Sequence, residues 1–293
     1  MNNLHFYNLR SRLGMINLPH RMDEFNTGVE EGGDAILSEE FLAKFRDVKL
    51  DSFTFPAPED IERKKYFDAI VEHSNKAMML MEDTLQDDEF QVVIGGDHSV
   101  AFCSLAVLLR RLHSHSIGYI LIDSHPDINS IATSPTGNFH GMWMRPFIDT
   151  FENEEINQLI PHKLNPENIL YIGNLDLDPE EAQVIEQKKI KTVSVEDLRL
   201  GSVQTLEAIQ KFMDRCDHVH LDIDIDGFDR SIAPATGIPA KEGLLKKDIV
   251  PVLEMFAQKE SRSLDLVEVN PQKDKAEKTV KLAQELILKA FPQ

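Results

Sequence analysis

The chain has 293 residues, of which 42% are hydrophobic, so it can bury a substantial core and is neither disordered nor fibrous. Its 31 basic and 50 acidic residues give a formal net charge of −19, which makes nucleic acid and anionic membranes poor partners. No window approaches the roughly 18 apolar residues of a membrane span, and residues 1–15 lack the apolar segment of a leader peptide. With only two cysteines, the sequence predicts a soluble, unprocessed cytoplasmic protein without a disulfide framework.

Short apolar runs alternate with longer amphipathic stretches along most of the chain. Buried strands are predicted at 92–94, 117–122, 169–172, 218–225 and 264–269, because their apolar residues are consecutive or β-branched. Helices are predicted at 59–85, 99–112, 179–187, 203–214, 246–258 and 273–290. This alternation predicts an α/β fold, a three-layer sandwich in which helices cover both faces of a central, mostly parallel β-sheet. Functional residues are expected at the carboxyl ends of its strands.

No repeat or linker divides the sequence, so we expect a single domain over residues 1–293. The least regular stretches are 8–27 and 133–147. Loops of that length inside a compact domain are often functional, which makes both stretches candidate parts of a site.

Acids and histidines collect where the predicted strands end. The strand at 92–94 runs into Gly-Gly-Asp-His-Ser, where two glycines permit a sharp turn and His98 begins a helix. His98 alone fits a buried or capping histidine better than a metal ligand. The next strand ends in Asp-Ser-His-Pro-Asp, and a side-chain period of two would place Asp123, His125 and Asp127 on one face.

The strand at 218–225 repeats this arrangement, since Asp222, Asp224 and Asp226 also share one face. Two carboxylates about 4 Å apart repel by about 4 kcal/mol at an effective dielectric constant of about 20. The nearest base after Asp226 is Arg230, so the flanking sequence supplies no neutralising charge. Two divalent cations would supply it, and the alternative is a solvated acidic loop. The predicted ligands are His98, Asp123, His125, Asp127, Asp224 and Asp226.

Together these residues resemble the signature segments of the ureohydrolase family, the arginases, agmatinases and their relatives. The segments stand in family order at 95–99, 123–129, 137–141, 224–237 and 267–271. They cover most of the chain from Val29 onward, and their combination is far more specific than any one of them. The resemblance implies an arginase-like fold and two Mn²⁺ ions per chain. Oxygen and imidazole ligands leave cobalt, nickel and zinc open as alternatives.

The resemblance also implies how the two ions are shared. Asp123 and Asp224 would bridge them. The other ligands would be His98 and Asp127 on the first ion, and His125 and Asp226 on the second. Two cations can activate water as a nucleophile near neutral pH, which agrees with this assignment.

The catalytic residues implied by the resemblance are His140, Glu268 and the ligand Asp127. His140 would shuttle a proton or act as general acid to the departing amine. Glu268 would hold the guanidinium group by charge-assisted hydrogen bonds, so that its central carbon faces the nucleophile. The structural alternatives are a loop histidine for His140 and a residue that closes a strand end for Glu268.

Among ureohydrolases, arginases resemble this chain most. Asn129, Thr136 and Asn138 match the groups that hold the substrate α-carboxylate, and Asp178 and Glu181 match those near the α-ammonium. The 178–181 segment fits a capping box at a helix start equally well. The expected reaction is hydrolysis of L-arginine to L-ornithine and urea, and the family commonly forms trimers or hexamers. The alternatives are formiminoglutamate, agmatine or another guanidino substrate, or a catalytically impaired metal-binding relative.

Four departures from the family pattern bear on that choice. Asp222 stands where the family usually has serine, Arg230 replaces a proline, and Asn-Leu at 174–175 replaces Leu-Arg. Ile238 replaces a threonine that lies near the guanidinium in arginases, so it removes a hydroxyl and adds bulk. It therefore predicts either low activity or an altered substrate, whereas neither Ile238 nor Asp222 replaces a predicted metal ligand.

Overall fold

A computed structural model describes residues 3–16, 26–112, 116–173 and 176–292. Its eight strands are β1 Asn3–Arg10, β2 Lys49–Thr54, β3 Glu89–Gly95, β4 Ile117–Asp123, β5 Ile169–Gly173, β6 Lys191–Ser194, β7 His218–Asp224 and β8 Arg262–Val267. They form one sheet in the order β2-β1-β3-β8-β7-β4-β5-β6, and each neighbouring pair is parallel. The carboxyl ends of β3, β8, β7 and β4 therefore lie side by side at one edge of the sheet.

Helices cover both faces of the sheet, as the alternation of strands and helices predicts. The helices are α1 Gly32–Ile36, α2 Glu39–Leu42, α3 Tyr66–Thr84, α4 Ala101–Arg111, α5 Arg145–Ile148, α6 Glu154–Leu159, α7 Pro179–Lys188, α8 Val195–Arg199, α9 Val203–Asp214, α10 Lys246–Ala257 and α11 Lys278–Ala290. One hydrophobic core lies under α3 to α7 and the other under α1, α2 and α8 to α11. Within the described ranges, no helix is both long enough and apolar enough to cross a membrane.

Two predicted helix starts are wrong. Helix α3 begins at Tyr66 instead of residue 59, because residues 61–62 are extended between two 3₁₀ turns. The run Arg63–Lys65 places three positive charges just before the helix, where the helix dipole disfavours them. Helix α11 begins at Lys278 instead of residue 273, because the Asp274 carboxylate accepts hydrogen bonds from the backbone N–H groups of Lys278 and Val280.

Three strands carry no strong sequence signal. Strand β1 is buried along most of its length although it contains the polar residues His5 and Asn8, and it occupies residues 8–10 of the stretch predicted to be irregular. Strands β2 and β6 lie at the two edges of the sheet and are mostly exposed and polar. An edge strand needs no continuous apolar run, which explains why this pattern does not reveal them.

Candidate metal centre and active site

His98 reaches the site because the chain turns sharply after β3. A side chain at Gly96 would place its Cβ 1.9 Å from the Ser11 carbonyl oxygen, so only glycine fits there. Asp97 then starts a 3₁₀ turn by accepting a hydrogen bond from the Ser99 backbone N–H at 3.0 Å. This turn buries the His98 ring beside the ends of β4 and β7.

The first candidate ligand group surrounds His98 Nδ1. Three carboxylate oxygens lie near this atom, at 3.2 Å for Asp123 Oδ2, 2.9 Å for Asp127 Oδ2 and 3.1 Å for Asp224 Oδ2. Within the described part of the chain, neither Nδ1 nor Asp123 Oδ2 has a hydrogen-bond partner, although both are buried. Buried polar atoms without partners are costly, so this arrangement fits a cation ligated by these atoms.

The second candidate group lies on the solvent side of Asp123. His125 Nδ1 is 3.6 Å from Asp123 Oδ1 and 3.3 Å from Asp226 Oδ2. Asp123 thus belongs to both groups, and each group offers one imidazole nitrogen together with carboxylate oxygens. Such mixed oxygen and nitrogen ligand sets suit divalent transition metals.

The strand period does not explain how these side chains meet. Strand β4 ends at Asp123 and is followed by irregular chain, and β7 ends at Asp224 and is followed by a 3₁₀ turn, so the later residues do not continue the strands. Asp127 has a φ of 53°, in the left-handed region, and Trp143 Nε1 donates a hydrogen bond to its Oδ2 at 3.2 Å. The expectation that Asp123, His125 and Asp127 share one strand face is therefore wrong, although all three reach the site.

The carboxylates crowd one another at low exposure. Burial, followed by the charge of Asp226, raises the pKa of Asp123 to about 7. Burial and the charges of Asp226 and Asp123 raise the pKa of Asp224 well above its ordinary value. A divalent cation would reverse both effects because it stabilises the ionised carboxylates.

Glu268 lies immediately after β8, with a φ of 65°, beside the first ligand group. Its Oε1 accepts a hydrogen bond from the His98 backbone N–H at 3.0 Å, and its Oε2 accepts one from Asn26 Nδ2 at 3.0 Å. His140 Nδ1 is 3.7 Å from Glu268 Oε1. Burial lowers the pKa of His140, but the Glu268 carboxylate more than offsets this and raises it above its ordinary value.

Sequence reasoning missed Asn26, which lies in the irregular 8–27 stretch. Asn270 Nδ2 donates to Asn26 Oδ1 at 2.7 Å and so fixes the amide that contacts Glu268. Asn270 belongs to the Val-Glu-Val-Asn-Pro segment at 267–271. Its place in that segment was the sequence signal that Asn270 binds a partner near the site.

The five predicted substrate-binding residues line one pocket with His140 and Glu268. Several already bond to one another: Asn129 Nδ2 donates to Asp178 Oδ2 at 2.8 Å, and Asn129 Oδ1 accepts from Thr133 Oγ1 at 2.9 Å. Thr136 Oγ1 accepts a hydrogen bond from the Asn138 backbone N–H at 3.2 Å. We call these five residues the rim of the pocket. Its polar groups are already hydrogen-bonded within the protein.

Glu181 is engaged by the backbone on both carboxylate oxygens. Oε2 accepts from the Asp178 N–H at 3.1 Å within a capping box, and Oε1 accepts from the Ile128 N–H at 3.2 Å. Burial, followed by the charge of Asp127, raises the pKa of Glu181 to about 8. These contacts favour the capping interpretation of Glu181 over an anionic partner for an ammonium group.

Three of the four departures fall within the described residues, and they lie in different surroundings. Ile238 is 49% exposed and lines the pocket, whereas Arg230 is exposed and is not among the residues lining it. Asp222 is fully buried beneath the first ligand group, in a third cluster with His220 and Asp265 that sequence reasoning did not identify. Residues 174–175 lie outside the described ranges.

Comparison with known proteins identifies the family. The model of the Arginase family matches residues 11–291. The curated arginase of Brevibacillus brevis is 30% identical over 296 residues, covering 97% of this chain and 98% of the relative. The native arginase structure from Bacillus caldovelox superposes with a TM-score of 0.83 at 28% identity, covering 100% and 99% of the two chains.

A further solved structure supports the fold alone. The Entamoeba histolytica arginase in complex with L-ornithine superposes with a TM-score of 0.87 at 24% identity, covering 100% of this chain and 99% of that one. Both superpositions cover 100% of this chain, which contains the eight-stranded parallel sheet. The chain therefore belongs to the arginase family and is a metal-dependent amidine hydrolase of the ureohydrolase class.

Proposed function

We propose that this enzyme is a manganese-dependent arginase that hydrolyses L-arginine to L-ornithine and urea. The observation that carries the proposal is the shared position of Asp123, which faces two separate His/Asp groups next to Glu268. Two adjacent ligand groups with one common carboxylate suit a pair of ions, and Glu268 adds an anion of the kind that a guanidinium group requires.

In this proposal Asp123 and Asp224 would be ligands shared by two Mn²⁺ ions. His98 and Asp127 would complete the first site, and His125 and Asp226 would complete the second. When bound, the two ions lower the pKa of water and so supply a nucleophile at neutral pH.

Glu268 and His140 act on the organic substrate. Glu268 Oε1 and Oε2 accept hydrogen bonds from the protein on one side, and the carboxylate charge on the pocket side attracts the guanidinium group. His140 carries a raised pKa, so it remains protonated to higher pH than a free histidine. Its ring N–H can therefore donate the proton that the departing amine needs, while Glu268 stabilises the imidazolium.

The rim favours an amino acid over an amine as the substrate. Asn129, Thr136 and Asn138 present uncharged donors, which bind a carboxylate without competing with the metal ligands. Of the two predicted carboxylates, Glu181 has both oxygens bonded to backbone N–H groups, whereas Asp178 Oδ2 is bonded to the Asn129 side chain. Asp178 would therefore be the carboxylate that faces the α-ammonium group. We further propose a cytoplasmic homo-oligomer, the assembly that the family resemblance implies.

One observation favours a second substrate class. Ile238 places an apolar side chain in the pocket wall where arginases carry a hydroxyl, and this change suits a formimino or other guanidino compound. The ligand groups and Glu268 would serve such a substrate equally well.

Steady-state kinetics on Mn²⁺-loaded enzyme separate these proposals. We expect kcat/KM to be highest for L-arginine and lower for agmatine, which lacks the carboxylate. A site built around a polar group can reject an analogue without it by about 10⁴-fold, and a wet rim discriminates less. Equal values, or a preference for agmatine or formiminoglutamate, would contradict the arginase assignment while leaving the metal site intact.

A further inference from the structure

Among the departures that fall within the described residues, Asp222 is the one that lies directly beneath a candidate metal ligand. It is fully buried on β7, where it pairs in register with Leu121 of β4 and Asp265 of β8. A buried carboxylate needs partners that offset its desolvation, so its contacts indicate what the charge does.

Both partners of Asp222 approach the same oxygen. Tyr119 Oη lies 2.8 Å from Oδ2, and His98 Nε2 lies 3.3 Å from it. Burial, followed by the charge of Asp222, raises the pKa of the Tyr119 hydroxyl well above its ordinary value, so the hydroxyl keeps its proton and donates. An ionised carboxylate only accepts hydrogen bonds, and the His98 contact therefore requires a proton on Nε2.

The proton on Nε2 determines what the other ring nitrogen can do. A neutral imidazole with its proton on Nε2 carries a lone pair on Nδ1. In His98, Nδ1 is the atom that faces the carboxylate oxygens of Asp123, Asp127 and Asp224. The Asp222 contact thus selects the tautomer and ring orientation that a metal ligand needs.

We propose that Asp222 is a positioning residue that holds His98 with its proton on Nε2 and thereby strengthens metal binding at the first ligand group. The inference rests on the proposed function, since it assigns His98 to a metal ion. A carboxylate behind a ligating histidine raises the basicity of the ligand and fixes its ring. The serine usual in the family is uncharged and shorter, so it cannot act on His98 through the same charged contact.

The residues around Asp222 are paired with one another. Asp265 Oδ1 accepts a hydrogen bond from Ser104 Oγ at 2.7 Å, and Asp265 Oδ2 lies 3.2 Å from His220 Nε2. His220 Nδ1 lies 2.8 Å from Ser263 Oγ. The His220 imidazole therefore lies next to the buried carboxylates of Asp222 and Asp265, while Asp222 Oδ2 contacts His98 and Tyr119.

The competing explanation is that this third cluster itself binds a cation. Among the described residues, His220 Nε2, Asp222 Oδ1 and Asp265 Oδ2 lack hydrogen-bond partners and lie close together. Each of these side chains, however, already contacts a protein hydroxyl through its other polar atom: Ser263 for His220, Tyr119 for Asp222 and Ser104 for Asp265. The charge of Asp265 also raises the pKa of His220 despite burial. We therefore assign the cluster to support of His98.

Mn²⁺ titration of metal-stripped protein tests the assignment. Wild type, Asp222→Asn and Asp222→Ser are compared by electron paramagnetic resonance and by chelator competition, which give the number of ions and each affinity. We expect one of the two ions to bind about 10- to 100-fold more weakly in Asp222→Ser. Asp222→Asn retains an uncharged acceptor for His98 and should lie between wild type and Asp222→Ser. The second ion should keep its affinity within about threefold.

Asp265→Asn is the matched control, because it removes a neighbouring buried carboxylate that does not contact His98. We expect it to lower the melting temperature of the metal-free protein without changing either Mn²⁺ affinity. Nitrogen-15 spectra of the histidine rings provide an independent measurement: wild-type His98 should carry its proton on Nε2, and Asp222→Ser should show a mixture of tautomers.

Each remaining outcome overturns the proposal. Unchanged affinities in both Asp222 variants would remove any role in metal binding, and an equal loss in Asp265→Asn would reduce Asp222 to a structural residue. A third ion in wild type that is lost in Asp222→Ser would make the cluster a cation site. Wild-type protein that binds no Mn²⁺ would contradict the proposed function itself, whereas two ions bound with wild-type affinity in every variant would contradict only the role of Asp222.

Discussion

The centre of the pocket and its rim satisfy their polar groups in opposite ways. In the centre, His98 Nδ1 and Asp123 Oδ2 are buried without hydrogen-bond partners among the described residues, and the nearby carboxylates repel one another. At the rim, Asn129 bonds to Asp178, and both oxygens of Glu181 are bonded to backbone N–H groups. The centre is complete only with cations, whereas the rim is complete as a protein structure.

This difference determines how residues in the two regions can be assigned. An uncompensated cluster of charges has few explanations besides ions, so its residue types alone point to its chemistry. A rim group that already has a protein partner has two explanations, because the same bond stabilises a loop and presents a polar surface. Variants in the centre should therefore have large effects on binding and catalysis, and variants at the rim should have small effects divided between stability and binding.

The largest effect is expected at the shared ligands. Asp224→Asn should abolish binding of both Mn²⁺ ions and reduce kcat by more than about 10⁴-fold, beyond the contribution of any single acid–base group. It should also remove the stabilisation by Mn²⁺, which is about 2.7 kcal/mol for each ion at 100 times its Kd. Elemental analysis and melting curves with and without Mn²⁺ measure the two effects.

Asp274→Asn is the control for that variant, because Asp274 is also a buried acid but caps helix α11 far along the chain from the ligands. It should change stability little, because asparagine is as good a helix cap as aspartate, and both ions should remain bound. One ion retained by Asp224→Asn at normal affinity would show that Asp224 does not bridge.

The next largest effect is expected at His140. His140→Asn should reduce kcat by about 10²- to 10⁴-fold while both ions remain bound, because a proton donor acts in the transition state without being a ligand. Steady-state kinetics and elemental analysis on the same sample measure both quantities. His162→Asn alters an exposed histidine and should change neither. A full rate in His140→Asn, or loss of metal, would contradict the assigned role.

The sequence predicted the residues of the centre better than the backbone conformation that brings them together. Strands β3, β4, β7 and β8 carry Val, Ile and Leu residues and are buried along most of their length, so their ends and the acids near them could be located from the pattern. The strand period nevertheless failed at Asp127, whose left-handed backbone and bond to Trp143 depend on tertiary contacts. Asn26 and Tyr119 were missed for the same reason, since each acts through a residue distant in sequence.

Glu268→Gln tests the link between the centre and the substrate. Loss of a charge-assisted hydrogen bond is expected to cost about 1.5 to 3 kcal/mol, a fall of about 10- to 150-fold in kcat/KM. The same substitution should lower the pKa of His140, because the Glu268 carboxylate is what raises it. The protonated form of His140 is then lost at lower pH, so the alkaline limb of the kcat/KM profile should move to lower pH.

Direct titration of His140 by NMR in the wild type and Glu268→Gln completes this test. An unchanged His140 pKa would show that Glu268 does not stabilise the imidazolium, whatever happens to kcat/KM. The unchanged number of Mn²⁺ ions in Glu268→Gln serves as the internal control that the ligand groups are intact.

Variants of Asp178 distinguish the two explanations for the rim, which are stabilisation of the protein and binding of the substrate. Asp178→Ala should raise the KM for L-arginine about 3- to 10-fold, by loss of about one hydrogen bond, and should lower stability by about 1 kcal/mol through loss of the helix cap. Asp178→Asn keeps a good N-cap residue and removes only the charge. If it raises the KM for L-arginine while stability is unchanged, the charge faces the α-ammonium group, and agmatine, which keeps that amine, should be affected as well. If only stability changes in Asp178→Ala, the residue is a cap.

The smallest effect is expected at Ile238, which lines the pocket and is 49% exposed. Its neighbour Gly237 lies close to Asn26 and Glu268, so a hydroxyl at residue 238 is near the expected guanidinium position. Ile238→Thr should raise kcat/KM for L-arginine about 2- to 10-fold, the contribution of one hydrogen bond. Ile238→Val has the shape of threonine without the hydroxyl and should change little. Equal gains in both variants would assign the effect to reduced bulk, and a loss confined to Ile238→Thr would favour a substrate whose apolar part contacts Ile238.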